Sequence, residues 1–508
     1  MKTVDDKRKW KVFIIVFFIV NLFLSSYFID IWPTPNPVSR ALPVLTFSES
    51  RTLIIDKYAD QTIDKSKVGN HFYSDKAPLP TLLAIPFYEF IKLAGLTKVS
   101  KDAGKKFPVY VWRPIGKYDS RDFMFPEIIP LLILGGFLFG SLPFVIIITL
   151  TFLALRKLKP SFSPVLLVML AFYGSFIFVF SGTYFNHILA GLFLLLSYIE
   201  LKEKKYFLSG VFLGLSFLCE YPILIAAPIW CILILIKEKK IKFPFYFALG
   251  TLPSIIIISI YNWFITGYPF KMLIAYNALE AYKEVGHNYG FKLPSIEALW
   301  GLSFSGSMGL FIFVPTLLIV LFFIIKSIIK DEKFINKIKT NYLFIFSIVF
   351  FLIISSYFVW WGGWSYGPRY LIVLAIVLLY EGLIFISKTK VNIFVFIGFA
   401  LFGIISSWYA KSTLVYMVPD YFQKSNEFSN TFSSIIIPEF TAHRFNANNL
   451  LTIVLNVKPE TGIYFWMFLF IASVISLYFW YKSISPSKKN VTAENKKKGN
   501  YQLKKRKK

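Results

Sequence analysis

Long apolar runs separated by short basic patches dominate the chain. The first run, VFIIVFFIVNLFLSSYFI after Lys11, carries no charge. A helix of that length spans the hydrocarbon core of a bilayer. Comparable runs recur to near residue 481. The pattern therefore predicts an all-α polytopic membrane protein with about twelve transmembrane helices.

The basic patches predict how those helices are oriented. KRKWK precedes the first run, and RKLK at 156–159 and KEKK at 202–205 and 237–240 follow later ones. Cytoplasmic loops of membrane proteins carry such an excess of Lys and Arg. We therefore expect a cell (inner or plasma) membrane protein with both termini cytoplasmic. The expected parts are a cytoplasmic start with the first helix (1–32), a large external loop (33–127), a multispan body (128–482) and a basic tail (483–508).

Composition changes this picture little. A net charge of +27 over 508 residues would suit nucleic-acid binding, but 56% of the residues are hydrophobic and only 16% are charged. The basic patches also lie between apolar runs, so we expect the lipid bilayer, and no nucleic acid, as a partner. Cys219 and Cys231 lie within apolar runs and indicate neither a disulfide framework nor a metal cluster. No cofactor is indicated, and a need for a divalent metal is left open.

The long first loop contains the first candidate site, NHFYSDKAPLP at 70–80. Tyr73, Asp75 and Lys76 precede a short apolar stretch with Pro86 inside it, which predicts a helix lying in the membrane interface. A lysine ammonium is a compact point charge suited to a phosphate. The alternative is a surface turn with solvated charges.

The second candidate is WWGGWSYGPRY at 360–370. Its paired glycines permit close approach of the backbone. Trp364 and Tyr366 offer stacking surfaces to a sugar, and Arg369 is placed to meet an anion. An interfacial aromatic belt with a snorkelling arginine is the alternative.

Two further candidates are His187, which closes GTYFNH, and Glu220 in the sequence CEYP. Each falls at the external end of its predicted span, so we expect both beside one external cavity. A carboxylate near hydrocarbon is costly and marks a functional site unless the turn reaches water. For His187 the alternative is a helix start capped by Asn186.

These segments, in this order, resemble the GT-C superfamily of membrane glycosyltransferases, nearest to protein mannosyltransferases and lipid A aminoarabinose transferases. YSDKAP resembles the Tyr-Phe-Glu-Lys-Pro element of that family, GVFLGLSFLCEYP its Gly-rich hairpin, and WWGGWSYGPRY its Trp-Gly-Gly and Gly-Pro-Arg element. The resemblance runs from the first helix to about Phe385. It implies a GT-C-like fold, a polyprenyl-phosphate-linked sugar donor, a glycan, lipid or protein acceptor, and inverting transfer.

The resemblance also implies residue roles. Lys76 takes the place of the lysine that contacts the lipid phosphate, and Asp75 stands where the family has Glu. A departing phosphate needs cations to offset its developing charge, and Arg40 and Arg369 are the further candidates.

One departure concerns the general base. Asn36 lies near the position where relatives keep an acid, and an amide cannot accept a proton. Asp56 is our first choice for the base, Asp64 the second and Asp30 the third.

Two other classes of function stay open. A lipid-linked-sugar flippase or other transporter would also have many spans, but it should show related halves and broken helices, and the sequence shows neither. A non-catalytic membrane scaffold subunit would fit the missing early acid.

Overall fold

The computed structural model is mainly helical. It describes residues 4–29, 31, 34–98, 110–115, 117–122, 126–158, 160, 162–278, 290–330, 341–363, 365–389, 391–413 and 431–485. The α-helices are Val4–Ser26, Pro35–Ser50, Leu79–Leu93, Ile129–Gly135, Leu142–Leu158, Pro164–Tyr173, Phe176–Val179, His187–Lys202, Tyr206–Cys219, Ala226–Glu238, Lys242–Thr266, Ile296–Ser303, Leu310–Phe313, Thr316–Lys330, Tyr342–Ser355, Ile372–Lys388, Ile393–Thr413, Ile437–Thr441, Leu450–Leu455 and Pro459–Ile484.

Seven helical stretches among the described residues are long and apolar enough to cross a membrane. They are Lys7–Ser26, Ile129–Leu158, Tyr221–Glu238, Lys242–Thr266, Arg369–Lys388, Ile393–Thr413 and Pro459–Ile484. The protein is therefore a helical integral membrane protein, as the sequence predicts.

The predicted count of about twelve spans is wrong for the described residues. Several of the other apolar runs fold into helices of 10–17 residues, such as Pro164–Tyr173, Tyr206–Cys219 and Tyr342–Ser355. At about 1.5 Å of rise per residue, such helices fall short of a hydrocarbon core roughly 30 Å thick. The apolar run at 163–182 is interrupted because its first helix, Pro164–Tyr173, ends at Gly174. Hydropathy alone does not reveal such breaks.

Small residues allow two of the bundle helices to approach closely. A Cβ built on Gly210 would lie 2.0 Å from the Phe247 carbonyl oxygen, and one on Gly250 would lie 2.1 Å from that of Phe207. Thr251 Oγ1 donates to the Gly210 carbonyl at 3.2 Å across the same contact. Backbone contact between helices at small residues is the usual packing mode in membranes.

The first loop is more ordered than the sequence predicts. The helix expected after Pro78 is confirmed as Leu79–Leu93. A second helix, Pro35–Ser50, was not predicted; it begins with Pro at its first position, where a missing N–H costs nothing. Thr81 Oγ1 donates to the Arg40 carbonyl at 3.0 Å and joins the two helices.

Two antiparallel hairpins complete the described part of this loop: Lys65–Val68 with His71–Ser74, and Tyr110–Ile115 with Lys117–Asp122. The first turns at Gly69, whose φ of 59° favours glycine. The Ala278 N–H donates to the Lys65 carbonyl at 2.9 Å, so this hairpin packs against the segment that follows the Lys242–Thr266 helix.

Three helical stretches share one direction through the bundle. Glu220, His187 and Arg369 stand at or immediately before the starts of Tyr221–Glu238, His187–Lys202 and Arg369–Lys388. Near their far ends Lys202 Nζ lies 3.0 Å from Glu381 Oε2, and Lys204 Nζ lies 2.8 Å from Glu238 Oε1. We call this far end, with Lys202, Lys204, Lys205, Glu200, Glu238 and Glu381, the basic end.

Candidate functional site

Charged side chains from the first loop and from the starts of these helices meet at one place. Electrostatic interactions join them into a single group. Its members, called here the charged cluster, are Arg40, Asp64, Asp75, Lys76, His187, Glu220 and Arg369. All seven were singled out as candidates from the sequence, and the structure brings them together from positions more than 300 residues apart.

Lys76 is the link between two carboxylates of the cluster. Its Nζ lies 2.8 Å from Asp64 Oδ2 and 3.0 Å from Asp75 Oδ1. Asp75 is almost fully buried and also accepts from Ser39 Oγ at 3.3 Å and from Asn277 Nδ2 at 2.8 Å. Asp75 is therefore held on several sides, whereas Asp64 keeps a partly exposed carboxylate.

The shared lysine separates the acidities of these two groups. Burial raises the pKa of Asp64, but the charge and hydrogen bond of Lys76 outweigh it, and the pKa lies below its ordinary value. Burial dominates for Asp75, and the pKa of this carboxyl is raised. For Lys76, burial lowers the pKa, but the two carboxylates more than offset it and the pKa is raised.

Arg40 is a buried cation held only by neutral acceptors. Its side chain is 3% exposed. The guanidinium donates to the Asn36 carbonyl at 3.1 Å and to the side-chain oxygens of Asn36 and Asn186. Its Nε has no hydrogen-bond partner, and no described carboxylate forms an ion pair with it. Burial lowers the pKa of this guanidinium, while the charges of Glu220 and Asp75 act in the opposite direction.

Asn186 belongs to the site and does not cap its helix. It occupies the position before the His187–Lys202 helix, but its side chain accepts no hydrogen bond from that helix. The oxygen accepts from Arg40 and the amide donates to the Cys219 carbonyl. Asn186 thus ties the first loop to the turn that carries Glu220.

Arg369 is positioned by a glycine-rich turn. Gly362, Gly363 and Gly367 have φ values of 83°, 66° and 68°, which disfavour other residues. A Cβ on Gly362 would lie 3.1 Å from Arg369 Cγ, so the turn closes directly over this side chain. The guanidinium lies 5.4 Å from the ring centroids of Phe185 and Tyr370. In the part of the chain that the structure describes, Arg369 also forms no ion pair with a carboxylate, and its Nε has no hydrogen-bond partner.

His187 and Glu220 form a buried pair. Nδ1 of His187 lies 2.5 Å from Oε1 of Glu220, with 3% and 17% of the two side chains exposed. The imidazole stacks on Phe185 at 5.9 Å and meets the edge of Tyr370 at 6.2 Å. Arg369 lies over the same two rings, so the pair and this arginine have a common aromatic wall.

The other candidates lie elsewhere. Asp56 is well exposed; its oxygens bond to His71 Nδ1 at 2.7 Å and to the Phe72 N–H at 2.6 Å. Tyr73 is half-buried in the first hairpin, next to Ser74. Tyr366 is buried and meets Phe313 edge-on at 4.7 Å, as a packing residue. Asp30 and Trp364 lie outside the described residues.

Sequence reasoning missed the neutral residues that hold the charges. Ser39, Asn186 and Asn277 each bond to a cluster residue. Asn186 was visible in the sequence only as a possible cap, and nothing near Asn277 marks it. Within the described residues no group of three or more His, Cys, Asp or Glu is arranged to hold a metal ion, and the question of a metal stays open.

Comparison with protein-family models, curated proteins and solved structures finds no match to this chain.

Proposed function

We propose that the protein is a GT-C-type, inverting membrane glycosyltransferase that moves a sugar from a polyprenyl phosphate to a glycan, lipid or protein acceptor. The motif resemblance supports the class of enzyme. The observation that carries the proposal is the pair of arginines in the charged cluster: Arg40 and Arg369 have no carboxylate partner among the described residues, although Arg40 is buried.

A buried guanidinium that bonds only to amides has no direct counter-ion, and Glu220 and Asp75 act on its charge without forming an ion pair with it. An anion placed between the two arginines would supply the missing partner. The arginine fork matches phosphate oxygens, and bonds between charged partners are about twice as strong as neutral ones. In sugar transfer the leaving phosphate gains negative charge, so two fixed cations favour the transition state over the bound donor.

The cluster also separates the candidates for the general base. Asp64 stands within it, paired with Lys76 at 2.8 Å, whereas Asp56 pairs with exposed His71. A carboxylate whose pKa is lowered accepts a proton poorly at neutral pH. We therefore assign Asp64, Asp75 and Lys76 to the binding and orientation of substrate. Asp56 as the base stays a prediction from the sequence.

The expected topology completes the proposal. Because KEKK at 202–205 and 237–240 carry an excess of lysine, we expect the basic end to be cytoplasmic and the charged cluster, at the opposite ends of the same helices, to be external. A lipid-linked donor would reach the cluster from the bilayer, with its phosphate at the level of the arginines. The protein would then lie in the inner or plasma membrane, with both termini in the cytoplasm.

The test is sugar transfer by the purified full-length protein in detergent, supplied with lipid-linked sugars extracted from the producing cell's own membranes. We expect release of polyprenyl phosphate and a glycosylated product. Arg369→Gln should lower turnover about a hundredfold, the loss typical of one charge-stabilising group. Arg51→Gln is the control, since Arg51 is exposed and pairs with Glu89 at 3.0 Å.

Equal turnover by the two variants would remove the arginine from the site. Donor binding by the wild-type protein without any release of polyprenyl phosphate would favour a carrier of lipid-linked sugars instead, and absence of both would favour a scaffold.

A further inference from the structure

His187 and Glu220 form a close pair to which the proposed reaction assigns no role. Three His–carboxylate contacts occur among the described residues: His71 with Asp56, His443 with Glu460, and His187 with Glu220. The first two are exposed to solvent, whereas the side chain of His187 is 3% exposed.

The contact decides which nitrogen of His187 is basic. A carboxylate beside Nδ1 favours the tautomer that carries its proton on that nitrogen. The lone pair of the neutral ring is then on Nε2. Nε2 is buried and has no hydrogen-bond partner, and the close contact of Nδ1 with Glu220 is an ion-pair contact without normal hydrogen-bond geometry. The structure therefore holds an oriented imidazole with an unused proton-accepting atom, the arrangement by which a histidine acts as a general base next to a carboxylate.

The carboxylates of the cluster are less suited to that task. Lys76 pairs with both Asp64 and Asp75, and Asp75 has further bonds to Ser39 and Asn277. Imidazole is the side chain that most often serves as a general base in proteins, because its neutral form can accept a proton at a pH not far from 7. Arg369, the proposed phosphate ligand, lies on the two rings that flank His187.

We propose that His187, in place of Asp56, is the general base of the transfer and that Glu220 is its positioning residue. This inference rests on the proposed function. The oxygen of the acceptor hydroxyl forms a bond to the anomeric carbon while the bond from that carbon to the donor phosphate oxygen breaks. The bonding electron pair leaves with the phosphate, next to Arg40 and Arg369. The hydroxyl proton passes to Nε2 of His187, and the imidazolium that results is stabilised by Glu220 until it releases the proton to water.

The experiment measures transfer by the full-length protein at saturating donor, together with binding of polyprenyl phosphate alone. His187→Gln keeps a polar side chain of similar size and removes the base. We expect turnover to fall about a hundredfold or more, with binding of polyprenyl phosphate changed by less than about threefold. His443→Gln, in the exposed pair with Glu460, is the matched control and should leave both unchanged.

The pH profile tests the positioning role. The charged groups that interact with His187 are Glu220, Arg369 and Arg40. In the wild-type protein the rate should fall on acidification, as the imidazole becomes protonated. In Glu220→Gln this fall should move to lower pH, because the imidazolium has lost its counter-ion, and turnover at neutral pH should decrease about tenfold. Glu220→Asp should restore part of the rate.

Wild-type turnover in His187→Gln, or a pH profile unchanged in Glu220→Gln, would overturn the inference while the glycosyltransferase proposal remained intact. A wild-type protein that transfers no sugar would overturn both. A variant that loses binding of polyprenyl phosphate along with turnover would place His187 at the phosphate and contradict its role as the base.

Discussion

The two ends of the helix bundle handle charge in opposite ways. At the basic end the lysine of each described pair is exposed, as for Lys204 with Glu238, where 68% of the lysine side chain is exposed. In the charged cluster Arg40 is buried and bonds to two asparagines, and Lys76 serves two carboxylates at once.

The contrast separates exposed charges, which we expect to orient the protein in the membrane, from buried charges, to which we assign a role in the proposed reaction. Exposed pairs contribute little to stability. Their lysines belong to the basic patches that are expected in cytoplasmic loops. Burying a cation without a carboxylate partner costs free energy that must be offset elsewhere, and binding of the proposed anion would offset it. Substitutions at the two ends should therefore differ in both stability and activity.

The largest expected effect is on Lys76, whose removal would leave Asp64 and Asp75 facing each other without a counter-charge. Lys76→Ala should destabilise the protein by about 3 kcal/mol, at the low end for a broken buried pair because the lysine is not fully enclosed. Thermal unfolding in detergent, followed with a thiol dye at buried Cys219, would measure it. Lys57→Ala, in the same loop but on an exposed pair with Glu49, should unfold like the wild-type protein. Equal unfolding temperatures for both variants would show that the buried contacts of Lys76 stabilise the protein no more than the exposed pair of Lys57.

The second-largest effect is expected from replacing Arg40, and it should change activity more than stability. Arg40→Gln keeps an amide that can bond to Asn36 and Asn186 and removes the charge. We expect kcat/KM for the lipid-linked donor to fall about a hundredfold, and Arg40→Lys to recover only part of it, since an ammonium lacks the planar fork. Lys204→Gln, at the basic end, should retain full activity. A loss in the Lys204 variant as large as that in the Arg40 variant would show that the two ends do not differ in function.

The smallest effect concerns pH and the exposed pair of Asp56 and His71. Burial raises the pKa of Asp56, but the hydrogen bonds from His71 and from the Phe72 N–H together outweigh it, so the net pKa is depressed. Such a group stabilises the fold above the pKa of the unfolded chain, about 4, and this contribution is lost as the pH falls through the folded value. The unfolding temperature of Asp56→Asn should be slightly lower at pH 7 and should converge with that of the wild-type protein below about pH 3. A constant gap from pH 7 to 3 would mean that packing, and not charge, accounts for the change.

The sequence was most informative where one residue's chemistry suffices. Long apolar runs predict a helical membrane protein, and unusual charges such as Glu220 and Arg369 mark the cluster. It was least informative where geometry depends on distant partners. The Pro35–Ser50 helix was missed because PNPV resembles an irregular linker. Several apolar runs were counted as spans because hydropathy does not show where a run is broken into shorter helices. The amides of Asn186 and Asn277 have no local signature, because each acts on a side chain more than 140 residues away.

The long sequence separation between the cluster residues and their amide partners affects when the charged cluster can form during synthesis. The guanidinium of Arg40 donates a hydrogen bond to Asn186, which lies 146 positions further along the chain. At roughly 5–20 residues per second, the ribosome needs about 7 to 30 s to supply that partner. Asn277 for Asp75 and the Arg369 turn emerge later still. The charges of the first loop must therefore stay solvated in the meantime, and the charged cluster assembles only after most of the polypeptide has been synthesised.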